Sequence, residues 1–195
     1  MEIFSRYSGE GKFRRRIENS EGHNQTLNTN FMSEWLSRTE LLLGKEGVEK
    51  LKRAHVLVAG LGGVGAYAAE QLCRAGVGEM TLIDGDVTEV TNKNRQLLAL
   101  DSMLGQPKAD LMARRCRDIH PEIKLHIIND FIRDEQMIDV LKAAPYDYVV
   151  DAIDTLAPKI FLIYHSVHLG LPVVSSMGSG GKLDPSKIEV ADISK

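Results

Sequence analysis

From residue 55 onward, short apolar runs alternate with longer stretches in which apolar residues recur every three or four positions. His55-Val-Leu-Val-Ala59 is rich in branched side chains and stops at a glycine cluster, which predicts a strand buried on both faces. Residues 64–75 place Ala68, Ala69 and Leu72 on one face and predict a helix. Met80-Thr-Leu-Ile83, Leu125-His-Ile-Ile128, Tyr148-Val-Val-Asp151 and Val173-Val-Ser-Ser176 predict four further strands. Between them, helices are expected from Pro107 to about Ile119, from Glu135 to about Ala143, and from Pro158 to about His168. Proline suits the first turn of two of these; His120-Pro121 stops one, and Gly170 caps another. Residues 84–105 form a connection too long to be plain loop, so it is expected to be functional or to hold short helices. Residues 188–193 alternate apolar and polar side chains and predict an antiparallel addition to one end of the sheet. The expected fold is α/β: a Rossmann-like, doubly wound, mainly parallel sheet with helices on both faces and right-handed crossovers. Ligands of such sheets sit beyond the carboxyl ends of the strands, at the switch in strand order.

Upstream, the pattern fades. Residues 1–31 contain Gly9, Gly11, Gly22, the run Arg14-Arg15-Arg16 and four asparagines, with few apolar residues at any useful period. Such a segment buries too little surface to offset its ordering entropy, so it is expected to be a disordered extension with a solvated basic patch. Met32 then stands as a natural start, and residues 32–195 as one nucleotide-binding domain, truncated on its C-terminal side. Ser33 is placed to cap a helix with Leu36, Leu41, Leu42 and Leu43 as apolar positions, ended by Gly44; a short helix over residues 48–53 follows.

Bulk properties narrow the class. A chain of 195 residues, 43% hydrophobic and 26% charged, is long enough to bury a core without disulfides. A net charge of -3 predicts neither a nucleic-acid groove nor a membrane-binding surface, though it leaves an RNA substrate open. Cys73 and Cys116 both fall in expected helices, suit a reducing compartment, and make no zinc ligand set. No apolar run approaches the ~20 residues of a membrane span, and no signal-peptide core is visible. A cytoplasmic protein is expected.

The chemistry concentrates after the first strand. Gly60-Leu-Gly62-Gly63-Val-Gly65 joins that strand to its helix, where glycines let backbone N–H groups approach phosphate and the helix end supplies positive potential. Asp84 ends the second strand ~20 residues on, where a carboxylate accepts from ribose hydroxyls. This fingerprint alone suits a dinucleotide. The next segment points elsewhere, because Asp86, Asn92, Asn94, Arg95 and Gln96 crowd one loop and Lys108 opens the next helix. Cations there would stabilise charge developing on a triphosphate, and Asp154, after the fourth strand, offers oxygen to magnesium. Arg95 or Lys108 taken singly reads equally as solvated charge. A P-loop fails, since Leu183 follows Gly181-Lys182 where serine or threonine is required.

These pieces together resemble the ThiF/MoeB superfamily, the ubiquitin-activating-enzyme-like adenylating enzymes, from Ser37 to the last residue. The matching motifs are Gly60-Leu-Gly-Gly-Val-Gly65, Asp84-Gly-Asp86, Asn92-Lys-Asn-Arg-Gln96, Gly105-Gln-Pro-Lys108 and Asp151-Ala-Ile-Asp154. The resemblance implies ATP and magnesium as cofactors, Asp84 on the ribose, Arg95 and Lys108 on the phosphates, and Asp154 in the magnesium-dependent step. It also implies a homodimer, because Arg38 matches an arginine that reaches the partner subunit's ATP site. Asp151-Ala-Ile-Asp-Thr-Leu-Ala-Pro-Lys159, Gly178-Ser-Gly-Gly-Lys-Leu-Asp-Pro185 and Val190-Ala-Asp-Ile-Ser-Lys195 look like signatures of the tRNA threonylcarbamoyladenosine dehydratase branch. That branch implies adenylation of a threonyl carboxylate on tRNA and ring closure with release of AMP. An intramolecular nucleophile needs no enzyme thiol, which suits cysteines that read as core.

Other readings stay open: adenylation of a ubiquitin-like sulfur-carrier protein, a nicotinamide-dependent oxidoreductase, and a non-catalytic nucleotide-binding or dimerisation module. His165 and His168, three apart on a helix, are expected to be a surface or half-buried pair rather than metal ligands. Trp35 and Leu36 are expected in a core or dimer contact. His55, His120 and His126 have no partner that the sequence assigns.

Overall fold

Successive side chains of a strand point to opposite faces, and the first strand uses both. In β1 (His55–Ala59), Val56 and Val58 pack on one side, while Leu57 and Ala59 pack on the other. Every residue of β1 is buried, so it lies in the centre of the sheet. The computed structural model describes residues 35–133, 135–178 and 180–192. By its contacts the chain divides into residues 1–37 and 38–195, and the second unit carries the fold. The extension expected over residues 1–31, and the helix cap expected at Ser33, lie outside the described residues.

The elements follow the order α1 (Ser37–Arg53), β1, α2 (Gly65–Ala75), β2 (Glu79–Ile83), α3 (Lys108–Ile119), β3 (Lys124–Ile128), α4 (Glu135–Lys142), β4 (Tyr148–Asp151), α5 (Leu156–His168) and β5 (Val173–Ser175). Gly44 breaks α1 with φ 71° and ψ 166°, so the expected pair of helices exists as one kinked element. All strand pairings are parallel, in the order β3-β2-β1-β4-β5. The chain winds one way from β1 through β3 and the other way from β1 to β5. That reversal puts the switch point between β1 and β4.

Two cores flank the sheet. Ala66, Ala69 and Cys73 of α2 and Met112, Ala113 and Cys116 of α3 cover one face. Met137 and Leu141 of α4 and Leu162 of α5 cover the other. Each such large side chain, fully buried, contributes about 1.5–3 kcal/mol. Both cysteines have no exposed surface, and the Cys73 thiol donates to the Cys116 carbonyl at 3.4 Å. The hydrogen bond with Cys73, together with burial, pushes the Cys116 thiol well above its ordinary range. Core packing is therefore their role. Leu36 is buried as well.

One expected element is corrected. Residues 188–192 form no strand: a single 3-10 turn (Pro185–Lys187) precedes them, and Val190 is wholly exposed. Alternation alone cannot make a strand without a sheet edge to pair with, and the described residues bring none to it. Ile193 lies outside the described residues. No described helix is long and apolar enough to cross a membrane.

Candidate active site

At the carboxyl ends of β1 and β4 the two following loops approach closely. The Ala152 N–H donates to the Ala59 carbonyl at 2.8 Å, and the Gly60 N–H donates to that of Ile83. Gly60 has φ 86°, and a Cβ there would stand 2.7 Å from the Ala152 carbonyl oxygen. At Gly65 a Cβ would meet the Gly60 oxygen at 1.7 Å, so only glycine lets the turn close onto α2. No side chain caps α2, which leaves its first turn facing the turn's mouth with the positive end of the helix dipole.

Asp84 organises this turn. One of its carboxylate oxygens accepts from the Leu61 N–H at 2.6 Å, the other from the Asp86 N–H at 2.8 Å. Burial raises its carboxyl above the ordinary value, against the opposing effect of those two N–H groups. A hydroxyl donor arriving at Asp84 would relieve that desolvation.

Backbone bonds then fasten the 84–105 connection to the start of α3. Thr88 N–H donates to Gln106, Gly105 N–H to Thr88, and Lys108 N–H to Asp86. The connection holds two 3-10 turns, Val90–Asn92 and Asp101–Met103, as the sequence led one to expect. Asn92 is buried and uses its side-chain oxygen to accept from the Glu89 N–H at 3.1 Å, so it shapes the loop. Lys108 is nearly buried, with its ammonium 2.8 Å from Asp86. Arg95 is exposed and donates to the Thr91 carbonyl and the Asn94 side chain.

These elements enclose a cavity of ≈ 460 Å³. Of the residues singled out from sequence, Gly60, Gly62, Asp84, Asp86, Asn92, Arg95, Gln96, Lys108 and Asp154 line it. Gly63, Gly65 and Asn94 support the wall without lining it, Gly63 lying behind Arg95. Arg38 is exposed on α1 and does not line the cavity. Gln96 directs a buried side-chain oxygen with no hydrogen-bond partner among the described residues, ready to accept from a ligand.

Two groups escaped the sequence reading. The loop after β3 brings Asp130, Phe131, Ile132 and Arg133 to the cavity, with the Arg133 guanidinium 6.0 Å from the Phe131 ring centre. A Cβ on Gly85 would collide with Phe131, so this loop lies directly on the Asp84-Gly-Asp86 segment. Its position beyond a strand's carboxyl end was the available signal. Beneath Asp154, Lys159 of α5 donates to Asp151 at 2.5 Å, to the Ser176 carbonyl at 2.9 Å and to the Ser175 hydroxyl at 3.2 Å. Ser175 also donates to Asp151. This buried network ties β4, α5 and the end of β5 together under the loop that carries Asp154.

The sequence profile of the ThiF family matches residues 36–191. The chain belongs to the ThiF family. Among its relatives, the tRNA threonylcarbamoyladenosine dehydratase of Bacillus subtilis is 47% identical over 159 residues, covering 82% of this chain and 62% of that protein. The Escherichia coli tRNA N6-threonylcarbamoyladenosine dehydratase, solved with ATP, superposes with a TM-score of 0.79 at 40% identity, covering 82% of this chain and 65% of that one. The sulfur carrier protein adenylyltransferase of Thermus thermophilus is 36% identical over 132 residues, 68% of this chain and 48% of that protein. The chain thus spans under two thirds of these ThiF-family proteins. Its five-stranded parallel sheet is the α/β, Rossmann-like fold that the alternation of strands and helices predicted.

Proposed function

We propose that this chain is the nucleotide-binding part of an ATP-dependent tRNA threonylcarbamoyladenosine dehydratase. The observation that carries the reading is one cavity in which a glycine turn, three cations and four carboxylates converge at the switch point, in a chain 47% identical to such an enzyme. In this reading Asp84 takes the ribose, and Arg95 and Lys108 take the triphosphate. A threonyl carboxylate oxygen attacks the α-phosphorus and pyrophosphate leaves; the neighbouring carbamoyl group then attacks the acyl carbon and AMP leaves. Fixed cations beside the α-phosphate stabilise the charge that builds there, an effect worth roughly 3–4 kcal/mol per well-placed donor.

Asp84, Asp86 and Asp154 line the cavity, yet do not gather into a single three-ligand cluster. That fits magnesium carried on a triphosphate, which takes one or two carboxylates and keeps its remaining positions for phosphate and water. Asp86 and Asp154 are two of the exposed carboxylates of the cavity and are suited to hold it, and bound magnesium would neutralise charge on the departing pyrophosphate. A homodimer in which Arg38 completes the partner's site is supported by Leu41 and Leu42, 77% and 82% exposed beside it on α1. The site chemistry belongs to the cytoplasm, where ATP and tRNA are met.

The relative from Thermus thermophilus supports one second reading, adenylation of a carrier protein by the same machinery. The test is release of AMP and pyrophosphate from ATP by the full-length protein, offered either threonylcarbamoyl-modified tRNA or a ubiquitin-like carrier. The proposal expects AMP with the tRNA, abolished in Arg95→Ala. AMP with the carrier alone would establish the second reading. Reduced-nicotinamide binding without ATP turnover, or no turnover with either acceptor, would overturn both.

A further inference from the structure

The opposite end of the sheet carries a second cluster of functional groups. His55 opens β1, Glu79 opens β2, and His126 stands at the third position of β3, in register with Thr81. Because the strands are parallel and these positions share a parity, all three side chains project from one sheet face near its amino-terminal edge. Glu79 accepts from His126 Nε2 at 2.8 Å and stands 3.6 Å from His55 Nδ1. The three ligand atoms all lie within 4.8 Å of one another, and this is the one such group among the described residues.

From this geometry we infer that His55, Glu79 and His126 form a binding site for one divalent transition-metal ion of the zinc class. Two donors about 2.0 Å from a tetrahedral ion stand about 3.3 Å apart, a spacing bracketed by the 2.8 and 3.6 Å seen here. Two imidazoles and one carboxylate select zinc, cobalt or nickel over magnesium or calcium. His55 is pre-oriented: its Nε2 lies 2.9 Å from the Thr81 hydroxyl, and its ring packs on Tyr146 with centroids 4.6 Å apart. When the Thr81 oxygen accepts from Nε2–H, the Nδ1 lone pair faces Glu79, the outer-sphere arrangement usual for metal-binding histidines. His126 is exposed, so an ion reaches the site from solvent, takes its Nε2 while the ring proton passes through water to Nδ1, and keeps water as its fourth ligand. The bound ion would clip three strands together at the end of the sheet remote from the cavity.

The test uses the untagged full-length protein, stripped with chelator, without nucleotide. Zinc chloride is titrated against a chromophoric competitor, and cobalt chloride is followed by its visible ligand-field bands. One equivalent of zinc per chain is expected, with a tetrahedral cobalt spectrum that excess magnesium leaves unchanged. His126→Ala and Glu79→Gln should each weaken binding at least about tenfold while far-UV circular dichroism and ATP binding stay as in the wild type. Absence of stoichiometric cobalt or zinc in the wild type, or retention of it in both variants, overturns the site and leaves a hydrogen-bonded triad. Either result is independent of whether ATP is turned over.

Discussion

Two lysine–aspartate pairs stand at the carboxyl edge of the same sheet, and their burial separates them. Lys108 meets Asp86 at 2.8 Å, with the aspartate side chain 53% exposed. Lys159 meets Asp151 at 2.5 Å, with the aspartate wholly buried. In the first pair the carboxylate can return to water, so its lysine can change partner. In the second, neither charge has anywhere to go: Lys159 also donates to the Ser175 hydroxyl and the Ser176 carbonyl, and Asp151 accepts from the Ser175 hydroxyl. The same two residue types thus make a ligand-exchangeable contact on the cavity wall and a fixed strut below it. Exposure of the acid is what decides between them.

The largest expected effect is on the strut. Lys159→Ala leaves Asp151 as an uncompensated buried charge and should cost about 3–5 kcal/mol of stability, measured by urea unfolding. A Lys159→Ala protein as stable as the wild type would erase the distinction. Lys108→Ala should leave the fold standing and lower ATP-to-AMP turnover about 10²–10³-fold, as for loss of one donor to developing charge. Asp86→Asn lies between the two behaviours. It deprives a nearly buried ammonium of its charged partner and should cost about 1–3 kcal/mol, a deficit that saturating ATP reduces because phosphate supplies the missing negative charge. If ATP leaves that deficit unchanged, Lys108 does not exchange partners.

A third arrangement inverts the exposure and gives the smallest effect. Glu70 is buried between α2 and α3, while its partners Arg115 and Arg74 are 40% and 49% exposed. The hydrogen bond from Arg115 holds the Glu70 carboxyl below its ordinary value. A carboxyl lowered in the fold adds stability that is present above its unfolded value of about 4.3 and lost as pH falls through the folded one. The melting temperature of Glu70→Gln should therefore trail the wild type at neutral pH, with the gap closing below about pH 4.3. A gap constant down to pH 3 would mean the arginines contribute packing rather than charge.

Much of this was legible before any coordinates. Strands β1 to β5 appear within a residue or two of the apolar runs, because a doubly covered sheet demands continuous apolar stretches of that length. The glycine turn was legible because backbone geometry restricts residue type there, and Asp84 because it directly follows β2 at the carboxyl edge. Less legible was the loop of Asp130 to Arg133, whose place at the cavity depends on β3 lying beside β2. The three residues of the His55–Glu79–His126 group are up to 71 positions apart (126 minus 55), and no local pattern joins them. The alternation at residues 188–193 misled because its period is right for a strand while its partner is missing from the described residues.

What the sequence determined by itself is local: where the five strands and the helices between them lie, where glycine is obligatory, and which polar residues follow the glycine turn. Those follow from periodicity and from the chemistry of single side chains. Only the tertiary structure decided which lysine is free to change partner and which is locked, and which histidines share a glutamate. Burial and distance between remote residues settle those questions, and both arise only once the strands stand side by side.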